Sequence, residues 1–329
     1  MAGKLFSSNR LSRFLVNYAP LLLALALECV AFEQIGRMAG QPGFASLNTL
    51  ILVLNQSAVF GIMAVGMTFV IITGGIDLSV GSLMALGGML CASTVHWGAA
   101  DSTWPWIFLG WTLALLAGIL AGGFAGLLIC TFRIPPFIAT LALMSSLRGA
   151  ANLITNGKPI SPLPDAFQWL GRHQIADRIP VNVIVVLAVF ILGAVLLNHT
   201  AFGRHVRAIG GNEESARLSG VPIAWTKWRV YMLSGALGAL AGLVLSSRLG
   251  SGDPKIGLGD ELKVIAAVVV GGTSLSGGRG SIVGTFAGLL VVSVLDSGLN
   301  WIGVETFGQQ VTLGIVILAA VLLDRIKSW

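Results

Sequence analysis

Two short stretches hold the side chains of this chain that could do chemistry. The first, NEESARLSG at 212–220, sets an amide, two carboxylates and a guanidinium within six residues. Asn212 suits a helix N-cap, and Glu213 and Glu214 fall in a first turn, where the helix macrodipole favours negative charge. Gly220 suits the position after the last turn, and Pro222 stops any continuation. These signals predict a helix over Glu213–Ser219, roughly 10 Å long and far too short to be stable alone. Its apolar face is Ala216 and Leu218, too small for strong insertion into lipid. What Glu213, Glu214 and Arg217 offer is therefore ion pairing inside a protein groove. An amphipathic helix lying on the membrane, with Arg204, Arg207, Lys227 and Arg229 near anionic lipid, is the alternative.

The second stretch is TGGIDLSVGS at 73–82, where glycines and a carboxylate interrupt a long apolar run. Unwound backbone at membrane depth must be buried in protein or line a cavity, and an ionisable group there costs roughly 3 kcal/mol at the bilayer centre. One reading makes Gly74, Gly75, Asp77, Ser79 and Gly81 part of a pathway or hinge. The favoured reading makes Asp77 or Ser79 the N-cap of the next helix, and one residue can do both. GGIDLSVG recurs as GGTSLSGG at 271–278, which adds Gly271, Gly272, Ser274 and Ser276 to the candidates. Paired glycine-interrupted segments point to transport sites. An inverted repeat needs opposite orientations, whereas the order of spans gives the two copies the same one; either that count is off by one or the match is chance.

Other chemistry is missing. The chain has no GxxxxGK[ST] loop for ATP and no HExxH, CxxC or GxSxG. Its four histidines and three cysteines have no ligand spacing, so no catalytic residue, metal or cofactor is expected in the chain itself.

The elements around these stretches are set by hydropathy. Charged residues make up 10% of 329, against roughly 25% in soluble domains, and the mean hydropathy is +0.87. The expectation is an all-α polytopic membrane protein in the lipid bilayer, a single transmembrane domain over 1–329. About ten transmembrane helices, some interrupted, are expected near 14–35, 49–72, 78–97, 105–131, 137–155, 181–198, 230–249, 262–276, 282–300 and 310–323. The first reads as an uncleaved span. With the N-terminus inside, inner segments hold twelve Lys and Arg and outer ones seven, so both termini and the loop 199–229 are placed in the cytoplasm and the loop 156–180 outside. The net charge of +6 is thereby read as topology, not as nucleic-acid binding. Trp97, Trp104, Trp106, Trp301 and Trp329 fall at span edges. Arg148 and Asp296 lie within spans, and separate partners are favoured over an ion pair between them.

With these residues in place, the chain resembles the ribose-type sugar permeases of bacterial ATP-binding-cassette importers, within the branched-chain amino acid/ribose permease superfamily. The resemblance covers most of the chain and is strongest at TGGIDLSVGS, TNGKPI (155–160), AIGGNEESARLSGV (208–221) and ELKVIAAVVVGGTSLSGGRGSIVGT (261–285). It implies an inner-membrane permease dimer, homo- or heteromeric, a separate cytoplasmic ATPase that binds ATP-Mg, and a periplasmic sugar-binding protein. It also implies that Asn212, Glu213, Glu214, Ala216, Arg217, Leu218 and Gly220 belong to the coupling helix gripped by that ATPase. Ser215, where an alanine is usual, and Asp296 depart from the pattern. The implied cargo is a monosaccharide or polyol of the ribose, xylose or galactose type. A branched-chain amino acid permease and an ATP-independent carrier are the alternatives; GGIDLSVGS and GGTSLSGGRG argue against the former.

Overall fold

The computed structural model describes residues 3–38, 40, 43–98, 103–175 and 178–327. Asp101, Asp177 and Trp329 lie outside the described residues. Each of the ten apolar stretches forms a helix: α1 (Gly3–Met38), α2 (Leu47–Ile72), α3 (Val80–Gly98), α4 (Thr103–Cys130), α5 (Pro136–Leu153), α7 (Val181–His199), α10 (Ile223–Leu249), α11 (Asp260–Val270), α12 (Ile282–Trp301) and α13 (Thr306–Lys327). Among the described residues, seven of these are long and apolar enough to cross a membrane. The other three are α5, which carries Ser145, Ser146, Arg148 and Asn152, the 11-residue α11, and α13, apolar over Thr306–Leu322.

Three further helices fall between the expected spans. These are α6 (Asp165–Arg172), α8 (Ala201–Gly211) and α9 (Glu213–Leu218), and of these only α9 was expected as a helix. Two-residue strands β1 (Gln174–Ile175) and β2 (Ile179–Pro180) pair antiparallel beyond α6. The described residues of the segment 156–180 form a folded cap. Ser247 Oγ on α10 accepts from Gly171 N (2.8 Å) and donates to the Phe167 carbonyl (2.7 Å), while Arg172 donates to the carbonyls of Arg248 and Leu249.

Helix α10 is the axis of the bundle, and small residues set how closely its neighbours approach. On α4, Gly118 lies on Gly235, Gly122 on Tyr231 and Gly126 on Trp228, so α4 runs antiparallel to α10. On α3, Val80 and Leu83 meet Gly238, and Gly88 meets Gly242 and Ser246, so α3 runs parallel to it. Helix α2 is antiparallel, with Gly66 on Ser234 and the Asn55 carbonyl accepting from Arg248 at 2.8 Å. In lipid, where apolar side chains gain nothing by leaving solvent, this backbone-to-backbone packing is what holds helices together.

Two elements begin inside the bundle, and one of them is too short to cross it. Helix α3 begins beside Gly238, half-way along α10. The eighth span, expected over 262–276, is corrected by α11, which ends at Val270 because Gly271 caps it and Gly272 turns left-handed (φ +86°). At 11 residues α11 is about 16 Å long, half the hydrocarbon thickness. The chain reaches its start along α3: Gly252 packs on Ala92, then Gly257 on Gly81 and Met84. Arg148 of α5 pins this run by donating to the carbonyls of Pro254 (2.8 Å) and Ile256, while Asp296 pairs with Lys263 at 3.1 Å. The two intramembrane charges therefore have separate partners.

The α4–α10 contact gives a direct test. A Cβ on Gly118 would sit 2.6 Å from the Ala239 Cβ and closer to the Gly235 carbonyl, whereas one on Gly149 of α5 meets nothing within 4 Å. Gly118→Val is expected to lower stability by about 1–3 kcal/mol, the usual overpacking cost, and Gly149→Ala not to lower it, since alanine is the better helix former. Thermal unfolding in detergent measures both, and equal midpoints for the two variants would refute the packing argument.

Candidate functional site: the short helix and the helix breaks

Helix α9 has the caps expected of it and ends one residue earlier than expected. The Asn212 side chain accepts from Ser215 N at 2.8 Å. At the other end Gly220 N donates to the Arg217 carbonyl and Val221 N to that of Ala216, with Gly220 at φ +79° and Ser219 as C-cap. Glu214 holds Arg217 through two hydrogen bonds, which push the guanidinium pKa further up. Glu213 pairs with Lys227 at 2.6 Å, tying α9 to the N-terminal part of α10. Ala216 is 5% exposed and Leu218 77% exposed. Asn212, Glu213, Glu214, Arg217 and Gly220 are all exposed as well, so the helix sits on the bundle by one methyl group and presents its other faces outward.

Helix α8, which the sequence reading did not anticipate, supports α9. Thr200 caps it by accepting from Gly203 N (3.2 Å), and Gly203, Val206 and Ile209 form its buried face. Phe202 stacks on Phe69 of α2 with ring centroids 5.8 Å apart. Its charged residues, Arg204 and Arg207, hide this amphipathic pattern from a hydropathy reading.

The two glycine breaks end α2 and α11 in the same way. After α2, Gly74 N donates to the Ile71 carbonyl and Gly75 N to Val70; after α11, Gly272 N donates to Val269 and Thr273 N to Val268. Both are Schellman turns whose left-handed residue is glycine (Gly74 φ +80°, Gly272 φ +86°), a conformation that costs other residues about 1 kcal/mol or more. The turns therefore equate Gly74 with Gly272, one position away from the alignment of GGIDLSVG with GGTSLSGG. They lie against each other: Gly278 N donates to the Ile72 carbonyl at 2.9 Å. Gly74 and Gly272 are exposed, and Gly75 and Gly271 are buried against Tyr231 and Gly284. Ser274 is 2% exposed and turns back to the Arg279 carbonyl through its N–H, whereas Ser276 is exposed.

Asp77 is 1% exposed. Its Oδ1 accepts from Ser79 N (2.9 Å) and Ser79 Oγ (2.6 Å), and its Oδ2 from Ser234 Oγ on α10 (2.7 Å). Asp77 thus shapes the turn into α3, with Ser79 immediately before the helix, and also ties the break to the middle of α10. Ser234 and the neighbouring Tyr231 were missed from sequence because each sits inside an apolar run far along the chain. Gly81 packs on Gly257 and the Glu261 carboxylate.

Residues 49–321 match the family described as the branched-chain amino acid transport system/permease component. The chain belongs to that family. It is 47% identical to the ribose import permease protein RbsC of Bacillus subtilis over 87% of this chain and 88% of that one, and 40% identical to RbsC of Haemophilus influenzae over 97% and 96%. The xylose transport system permease protein XylH of Escherichia coli is 37% identical over 82% of this chain and 83% of its own. No solved structure matches the chain. The seven apolar helices and the permease relatives make it a multi-pass membrane protein.

The Asp77 network can be tested within this family fold. Asp77→Asn keeps an acceptor for Ser79, and its amide can donate to Ser234, so stability is expected to hold. Asp77→Ala leaves the buried Ser79 and Ser234 hydroxyls without their acceptor, at about 1–3 kcal/mol each. Detergent melting curves separate the two; an Ala variant as stable as the Asn variant would show that the network does not hold the break.

Proposed function

We propose that this chain is the membrane permease subunit of an ATP-driven importer for a monosaccharide or related polyol. The observation that carries this is the 47% identity to a ribose import permease over 87% of the chain; the likeness to a xylose permease supports the wider sugar class. A permease without a phosphate loop needs its ATPase from outside, and α9 offers that partner a surface. It is capped at both ends, anchored through Ala216 and Lys227, and bears an exposed carboxylate pair, a guanidinium and Leu218.

On this reading the α9 end of the bundle faces the cytoplasm, as do both termini, in the bacterial inner membrane. Two permease copies, identical or related, flank the pathway. A periplasmic sugar-binding protein docks at the opposite end, on the folded cap 156–180 and on 250–263. Closure of the ATPase subunits on ATP-Mg pushes α9, and the broken helices at Gly74–Gly81 and Gly271–Ser276 change shape beside the pathway. Branched-chain amino acids are the second reading, favoured by the family's own description; the sugar-permease relatives weigh against it.

Replacing Glu214 and Arg217 together by Ala is expected to leave folding intact, because a fully exposed, solvent-screened ion pair adds little to stability, and to lower uptake at least tenfold. Uptake into vesicles carrying the whole transporter, with ribose, xylose, galactose and leucine compared, reads both the coupling and the cargo. Wild-type uptake in the double variant would remove α9 from the mechanism, and transport of leucine alone would favour the second reading.

A further inference from the structure

We propose that Gly210 of α8 is the positioning residue that passes movement of α9 to both helix breaks at once; this rests on the reading of α9 as the ATPase-docking helix. Helix α8 ends at Gly211, and the next residue, Asn212, caps α9, so no loop separates the two helices. At Gly210 the α8 backbone lies directly on the hydrogen bond between Gly278 N and the Ile72 carbonyl. A Cβ built on Gly210 falls on the Ile72 carbonyl and the Gly278 nitrogen, closer than any real Cβ approaches. From the other side, a Cβ on Gly277 comes within 2.9 Å of the Gly210 carbonyl oxygen, and one on Gly278 within 2.9 Å of Gly211 Cα.

The glycine is there for closeness and not for conformation. Gly210 is helical and is not among the residues with positive φ, and alanine is the better helix former. Its neighbour Gly211, in the same helix, has nothing within 4 Å of a built Cβ. Three backbones meet at Gly210: α8, the end of α2 and the 271–281 turn. Backbone cannot swing aside as the tip of a flexible side chain can, and packed interfaces respond to small shifts by moving between discrete arrangements. A displacement of α8 therefore acts on the end of α2 and on the second break in one step, and the Ile72–Gly278 hydrogen bond makes the two breaks move together. Phe202 against Phe69, with the buried Val206 and Ile209, keeps the rest of α8 seated on the bundle.

The test uses the complete transporter, permease with its cognate ATPase and binding protein, in proteoliposomes. ATPase co-purification, ATP hydrolysis and uptake of labelled ribose, xylose and galactose are measured together. Gly210→Ala is expected to keep co-purification and hydrolysis within twofold of wild type while uptake per ATP falls at least tenfold; Gly211→Ala is expected to keep all three. Uptake per ATP within twofold of wild type in an assembled Gly210→Ala complex overturns the relay. If that variant does not assemble, a Gly-Ser pair inserted between Gly211 and Asn212 separates α9 from α8 and leaves the Gly210 contact in place. A tenfold loss of uptake per ATP with the ATPase still bound then supports the relay, and wild-type coupling overturns it. Failure of the docking reading looks different: the Glu214/Arg217 double variant then retains both co-purification and uptake.

Discussion

The hydrogen bond from Gly278 N to the Ile72 carbonyl is the constraint on which the interrupted helices depend. A helix end leaves its last four carbonyls without intrahelical partners, and where that end is buried, as at Ile72 (0% exposed), they must be met within the protein. At the end of α2 all four are accounted for: Phe69 accepts from Thr73, Val70 from Gly75, Ile71 from Gly74, and Ile72 from Gly278. Three of these bonds are local to the turn. The fourth comes from the other break, more than 200 residues along the chain, so the first interruption is complete only when the second is folded against it.

That closure in turn requires neighbours thin enough to let backbones meet. The glycines of α4 and α10 bring those helices into contact over Gly118–Gly235 and Gly122–Tyr231, and Gly66 sets α2 against Ser234. Ser234 is then near enough for its hydroxyl to reach Asp77. The buried carboxylate is affordable because close packing supplies a second donor from across the bundle in addition to the two from Ser79. Packing by small residues and satisfaction of the polar break are thus one arrangement seen from two sides.

What could be read from the sequence follows the range of the interactions. Helix α9 was legible almost to the residue because its stop signals are local: Asn212 caps a nitrogen three residues away, and Gly220 closes a turn on Arg217. Arg148 and Asp296 were correctly separated, but the partners they chose, the Pro254 and Ile256 carbonyls and Lys263, were not. The end of α11 was misplaced because hydropathy counts apolar residues, and Thr273, Leu275 and the glycines around them pass that count while a left-handed residue has already ended the helix. Helix α8 escaped because its arginines mask a buried face of Gly203, Val206 and Ile209. Gly210 carried no signal at all, since a glycine needed for contact reads the same as one that is not.

The two broken elements also stand in a relation that motif matching does not see. The matched glycine motifs give a parallel pairing, α2 with α11 and α3 with α12, and the Schellman turns agree once shifted by one residue. Helices α3 and α11 are related differently: they begin at one level, Gly81 against Gly257 and Glu261, and run in opposite directions, α3 along α10 and α11 toward the Ile72–Gly278 contact. Two helix N-termini thus meet in the middle of the bundle, each with carboxylates at hand, Asp77 before α3 and Asp260 and Glu261 in the first turn of α11. The positive ends of two macrodipoles repel unless negative charge lies between them, and the Glu261 carboxylate, which reaches Gly81 at the start of α3, supplies it. Carboxylates in an apolar bundle and helices that start half-way through it are therefore each the reason the other is tolerated.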